Sequence, residues 1–202
     1  MSSSPMSSAL ENAIAASTHG DSDQAIALLR QAIQEQPESG LPHFLLGAEY
    51  ASLGRMDLAE QGFANAVLLS PGLVVARYQL GLLQFSSGRA SAALLTWQPL
   101  LGLEDESPLP HWIRGFAALA GDSFDTARVC FEAGLVRNAD HPPMSADIRK
   151  VLAQMDALSP GAPQSPQQAV PLAAPTLLAP QPDEDESSHV LLSNYLQQGP
   201  AH

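Results

Sequence analysis

The chain has 202 residues, 45% of them hydrophobic, and a formal net charge of −12 at pH 7. That length accommodates one ordinary core of about 100–150 residues with additional segments. Nine Lys and Arg against 21 Asp and Glu disfavour a nucleic-acid role, which relies on cations displacing counterions from phosphates.

The predicted elements follow a period of 34 residues. Ala25, Ala59, Ala93 and Ala127 stand at that spacing, as do Leu29, Phe63, Trp97 and Phe131, and Gly47, Gly81 and Gly115. Gly20, Gly54 and Gly88 form another column, and Pro37 with Pro71 a further one. Several columns in phase at this period mark stacked repeat units, which the family resemblance drawn below makes helix–turn–helix hairpins. The first, residues 6–39, keeps Gly20, Ala25, Leu29, Ala32 and Pro37 but has Ala13 and Ala16 on its first helix, and reads as a degenerate cap. The second, residues 40–73, is the most regular. The third, residues 74–107, carries Pro99 inside its second helix, which is expected to end early or kink there. The fourth, residues 108–141, follows the acidic stretch GLEDESPLP, and its Gly121 is displaced by one position from the turn-glycine column.

Over residues 144–158, Ile148, Val151, Leu152 and Met155 form one apolar helical stripe, with Ser145 as the expected N-cap. This helix is expected to cover the last open face of the stack. Pro, Gln and Ala dominate residues 159–186, a linker expected to be disordered. Residues 187–202 then present Val190, Leu191, Leu192, Tyr195 and Leu196 after the acidic run Asp183 to Glu186. Leu191 with Tyr195, and Leu192 with Leu196, are four apart, the spacing of one helix face. So short a helix is expected to form only on binding.

In the second unit Leu46, Gly47, Tyr50, Gly54, Ala59, Phe63, Ala66 and Pro71 resemble the signature of the tetratricopeptide repeat. The resemblance implies an all-α, right-handed α-solenoid of about four repeats plus the capping helix, over residues 1–158, followed by the tail. Gly47 and Ala59 are small where paired helices approach closely, Tyr50 and Phe63 fill the space beside them, and Gly54 takes the left-handed turn conformation. The resemblance also implies that the first helices line a concave groove. It places there Leu41, Phe44, Ala48 and Ala51, then Val75, Tyr78, Leu82 and Phe85, then Leu109, Trp112, Phe116 and Leu119. Nearly all are apolar, and two readings remain open: core packing between neighbouring helices, or a trough for a peptide or helix with apolar anchors. In the second reading the rings of Phe44, Tyr78 and Trp112 line one channel. The set lacks the Lys, Asn and Arg with which members of the family grip acidic chaperone C-termini, which excludes that function.

Catalytic and cofactor chemistry finds little support. The six His are scattered, Cys130 has no companion at metal-ligand spacing, and no glycine-rich phosphate loop is present. Neither metal nor cofactor is expected. Cys130 suits a small apolar position better than a nucleophile's, and His43 and His111 stand where the family often has Trp. The function expected is a non-enzymatic protein-interaction scaffold or adaptor; the alternative is a chaperone-like holder of a secretion-system client. The C-terminal motif is a candidate ligand for the chain's own groove, for a second copy, or for another protein. The sequence shows neither a membrane-spanning stretch nor, in MSSSPMSSAL, the parts of a secretion signal. With a single cysteine, the expected setting is cytoplasmic, and eight arginines beside the lone Lys150 lean toward a GC-rich bacterial genome.

Overall fold

The computed structural model describes residues 8–138 and 142–158. Among them are nine α-helices and one short 3-10 helix, with no strand. In chain order these are α1 (Ser8–Thr18), α2 (Ser22–Glu35), α3 (Gly40–Ser52), α4 (Met56–Leu69), α5 (Val74–Ser86), α6 (Ala90–Trp97), the 3-10 helix Gln98–Gly102, α7 (Pro108–Ala120), α8 (Phe124–Arg137) and α9 (Pro142–Leu158). The described chain divides into two compact units, one running to Leu80 and the other from Gly81 onward.

The same turn recurs every 34 residues. Gly20, Gly54 and Gly88 adopt φ of +77°, +70° and +77°, a region open to glycine because it has no Cβ. The residue after each donates its backbone N–H back across the turn: Asp21 to Ala16, Arg55 to Tyr50 and Arg89 to Gln84, at 2.8–3.0 Å. These bonds satisfy carbonyls that the helix end leaves open. In the fourth turn the Ser123 N–H reaches the Ala118 carbonyl at 2.9 Å, but the left-handed residue is Asp122, with φ +55°. Gly121, one place earlier, has φ −104°.

In the first unit α1 pairs with α2 and α3 with α4. Asp21 caps α2, its carboxylate accepting the Gln24 N–H at 3.0 Å. The α3–α4 contact rests on missing side chains. A Cβ on Gly62 would lie 2.7 Å from the Gly47 Cα, and one on Gly47 2.8 Å from the Phe63 ring. Phe63 fills that gap and packs on Phe44 with ring centroids 5.7 Å apart. Two polar links join successive hairpins: buried Ser17 donates its hydroxyl to buried Glu49, and the Arg30 guanidinium donates to the Tyr50 hydroxyl at 2.8 Å.

The second unit repeats the device with larger rings. A Cβ on Gly81 would meet Trp97 at 2.1 Å, one on Gly115 would meet Phe131 at 2.6 Å, and one on Gly134 would meet Trp112 at 2.3 Å. Phe116 sits at the centre, its ring centroid 5.0 Å from Phe85, 5.2 Å from Trp97 and 5.0 Å from Phe131. Such offset and edge-on contacts add to the burial of large apolar area. The helix α9 packs on α8 and buries Ile148, Val151 and Met155. Ser145 is not its N-cap, because α9 begins at Pro142. Buried Ser145 instead accepts a hydrogen bond from the Asn138 amide at 2.8 Å.

Pro99 changes the third hairpin. Whereas α2, α4 and α8 each run 14 residues, α6 stops after 8. Within a continuing α-helix Pro99 would lack its N–H and its ring would strike the carbonyl four residues back, at a cost of about 3 kcal/mol. The chain instead tightens into the 3-10 helix Gln98–Gly102, where the proline sits in the first turn.

Candidate interaction surface

The three rings expected to line one channel, Phe44, Tyr78 and Trp112, are buried. Phe44, Trp112 and Phe116 have no accessible surface, and Tyr78 retains 2%. The cause is local: Phe44 stacks against Phe63, Trp112 lies over Gly134, and Phe116 fills the cluster with Phe85, Trp97 and Phe131. Ala48, Ala51, Leu82, Phe85 and Leu109 are buried as well. Of the predicted set, Leu41 and Val75 in the first unit and Leu119 in the second are half-buried and keep some surface. Val190, Leu191, Leu192, Tyr195 and Leu196, like the whole of residues 159–202, lie outside the described residues.

An apolar opening lies elsewhere. Between α6, the 3-10 helix and α7 runs a trough of about 590 Å³, lined by Ser91, Leu94, Leu95, Gln98, Leu101, Ile113, Arg114 and Ala117. Leu95 is 72% exposed and Leu101 40%, while Ile113 beneath them is buried. The segment ASAALLTW is apolar on nearly every side, so a helix that buries Ala93 and Trp97 must leave leucines outside. The early end of α6 then brings Leu101 beside them on the 3-10 helix. The lining combines several apolar side chains with one exposed cation, Arg114. No ion pair joins Arg114 to another described residue. Sequence reasoning passed over this trough, although Pro99 was its visible signal.

The loop leaving the trough is held in place. The Arg137 Nε donates to the Asp105 carbonyl at 2.8 Å, and its Nη1 donates to the Ala133 carbonyl at 2.8 Å. The His111 Nε2 lies 3.2 Å from the same Asp105 carbonyl and 3.6 Å from the Asp105 carboxylate. His43, half-buried on α3, has its pKa lowered by loss of hydration, because burial disfavours the charged ring. Cys130 is half-buried on α8. A smaller depression of about 350 Å³ in the first unit includes His19, Asp21 and Gln24. Two of its polar groups serve the fold: His19 bonds the Ala15 carbonyl and Asp21 caps α2. Among the described residues, no group of three or more His, Cys, Asp or Glu could hold a metal ion, and no helix is long and apolar enough to cross a membrane.

Solved structures with a similar helical fold exist. A crystal structure of MamA is 19% identical, with a TM-score of 0.55 over 64% of this chain and 75% of that one. MamA MSR-1 C2 is 23% identical, with a TM-score of 0.52 over 64% and 75%. MamA 41-end from Desulfovibrio magneticus RS-1 is 15% identical, with a TM-score of 0.54 over 76% and 94%. The fold is tetratricopeptide-like. No protein-family model and no curated protein matches the sequence, and identities this low carry the likeness of fold alone.

Proposed function

We propose that the chain is a non-enzymatic interaction module that receives apolar side chains of a partner protein in the trough between α6 and α7. The observation that carries this reading is Leu95, 72% exposed beside Leu101 over the buried Ile113. Contiguous exposed apolar surface rimmed by polar groups is characteristic of protein contact sites. Each large side chain buried there contributes about 1.5–3 kcal/mol before ordering costs, so a few anchors reach micromolar affinity, about −8 kcal/mol. The net charge of −12 favours encounter with partners whose anchors are flanked by basic residues. Leu119, in the same unit as the trough, is a member of the predicted groove set with surface left to contribute. A cytoplasmic setting belongs to the same reading.

Affinity capture with the full chain and with Leu95→Asp tests it. Because Leu95 is exposed, the substitution should leave far-UV circular dichroism unchanged and stability within about 0.5 kcal/mol, while specific partners are lost. An identical set of partners on both chains would refute the trough. A partner that stays soluble only when co-expressed with the wild-type chain would make the module a client-holding chaperone; one that is stable by itself would make it an adaptor.

A further inference from the structure

We infer that the trough between α6 and α7 has a resident occupant, the chain's own segment 187–202, which covers it in cis and competes with outside partners. The inference rests on the trough being a docking surface.

Three observations select this occupant. The first is reach. The trough belongs to the second unit, and so does α9, from whose last residue, Leu158, the tail departs. Within that unit α9 packs on α8, α8 on α7, and α7 forms one wall of the trough. Packed helices lie about 8–10 Å apart, so the tail starts on the order of 20–30 Å from the site. A flexible chain of 28 residues, the length of 159–186, spans about 30 Å on average. A tether whose mean length matches the span gives the highest effective concentration, about millimolar.

The second is apolar pattern. Leu191 with Tyr195 and Leu192 with Leu196 supply side chains at one-turn spacing, suited to a trough walled by Leu94, Leu95 and Leu101 over Ile113. The third is charge. Arg114 is the cation lining the trough, and Asp183 to Glu186 precede the apolar residues directly. Glu104, Asp105 and Glu106 follow the 3-10 helix and repel that run. A segment that binds at about 0.1 mM by itself occupies the site about 90% of the time at millimolar effective concentration, and weakens any competitor about tenfold.

The experiment compares the methyl resonances of Leu94, Leu95 and Leu101 in the full chain and in the full-length double variant Leu192→Asp, Leu196→Asp, at several protein concentrations. Cis occupancy predicts shifted signals for these leucines, the same at every concentration, and about tenfold tighter capture of any partner that depends on Leu95. Unchanged signals would overturn the inference. So would a shift that vanishes on dilution, which would identify a second copy as the occupant. In either case, partner capture that Leu95→Asp abolishes in the double-variant background leaves the docking function standing, and capture that it leaves intact removes that as well.

Discussion

Replacing Gly81 by alanine probes the packing rule on which each hairpin depends. A Cβ at this position would stand 2.1 Å from Nε1, 2.3 Å from Cε2 and 2.6 Å from Cδ1 of Trp97, where ordinary contact begins at 3.4 Å. The indole must retreat by roughly 1 Å, and a close-packed interior offers it nowhere to go. Trp97 is fully buried, with Phe85 at 6.1 Å and Phe116 at 5.2 Å between ring centroids. Overpacking costs about 1–3 kcal/mol, and so close an approach belongs at the upper end. Against it stands the better helix propensity of alanine, about 0.8–1 kcal/mol. The net expectation is a loss of about 2 kcal/mol in urea denaturation followed by far-UV circular dichroism. Adding Trp97→Phe to Gly81→Ala should recover part of that loss, visible as a favourable coupling in a double-mutant cycle. Gly81→Ala as stable as the parent chain, or an absence of coupling, would refute the reasoning.

Two further outcomes follow from the turns and from α3. Asp122→Gly should stabilise the chain by up to about 1 kcal/mol in the same denaturation assay, because φ +55° burdens a residue with a Cβ and not glycine. His43 titrates in the folded chain below its ordinary value of 6.5 because burial penalises the imidazolium. The unfolded chain therefore takes up the proton first. This contribution to stability is constant above about pH 6.5 and declines as pH falls from there toward the lowered folded pKa. His43→Gln should show a smaller drop in melting temperature between about pH 7.5 and about pH 5.5 than the parent chain; an equal drop would remove His43 as its source.

The helical hairpins were legible because their determinants are steric and local. Gly47, Gly81 and Gly115 share one column and Phe63, Trp97 and Phe131 another, and each glycine meets the ring expected from that phase. Pro99 was legible for a similar reason, since its ring and missing N–H act on its own helix. The fate of Phe44, Tyr78 and Trp112 was not. A spacing of 34 residues says that three rings point the same way, not whether neighbouring helices cover them. Leu95 is the converse. ASAALLTW is apolar all round, so its sequence cannot show which leucine faces water; that depends on where α7 and the 3-10 helix lie. Asp122 escaped notice because the fourth turn keeps the 34-residue register while its glycine lies one place earlier, so the glycine that marks the turn is not the residue that bears the left-handed conformation.

The anchoring of Asp105 by Arg137 bears on the docking proposed above. The loop after Leu101 is fastened to α8 before any ligand arrives, so one end of the trough needs no ordering when an apolar segment enters. Ordering a rotamer-rich side chain on association costs about 0.5–1.5 kcal/mol, and a wall set in advance avoids that cost for each residue it holds. Arg137, which does not line the trough, thereby lowers the ordering cost of the proposed docking from outside the site.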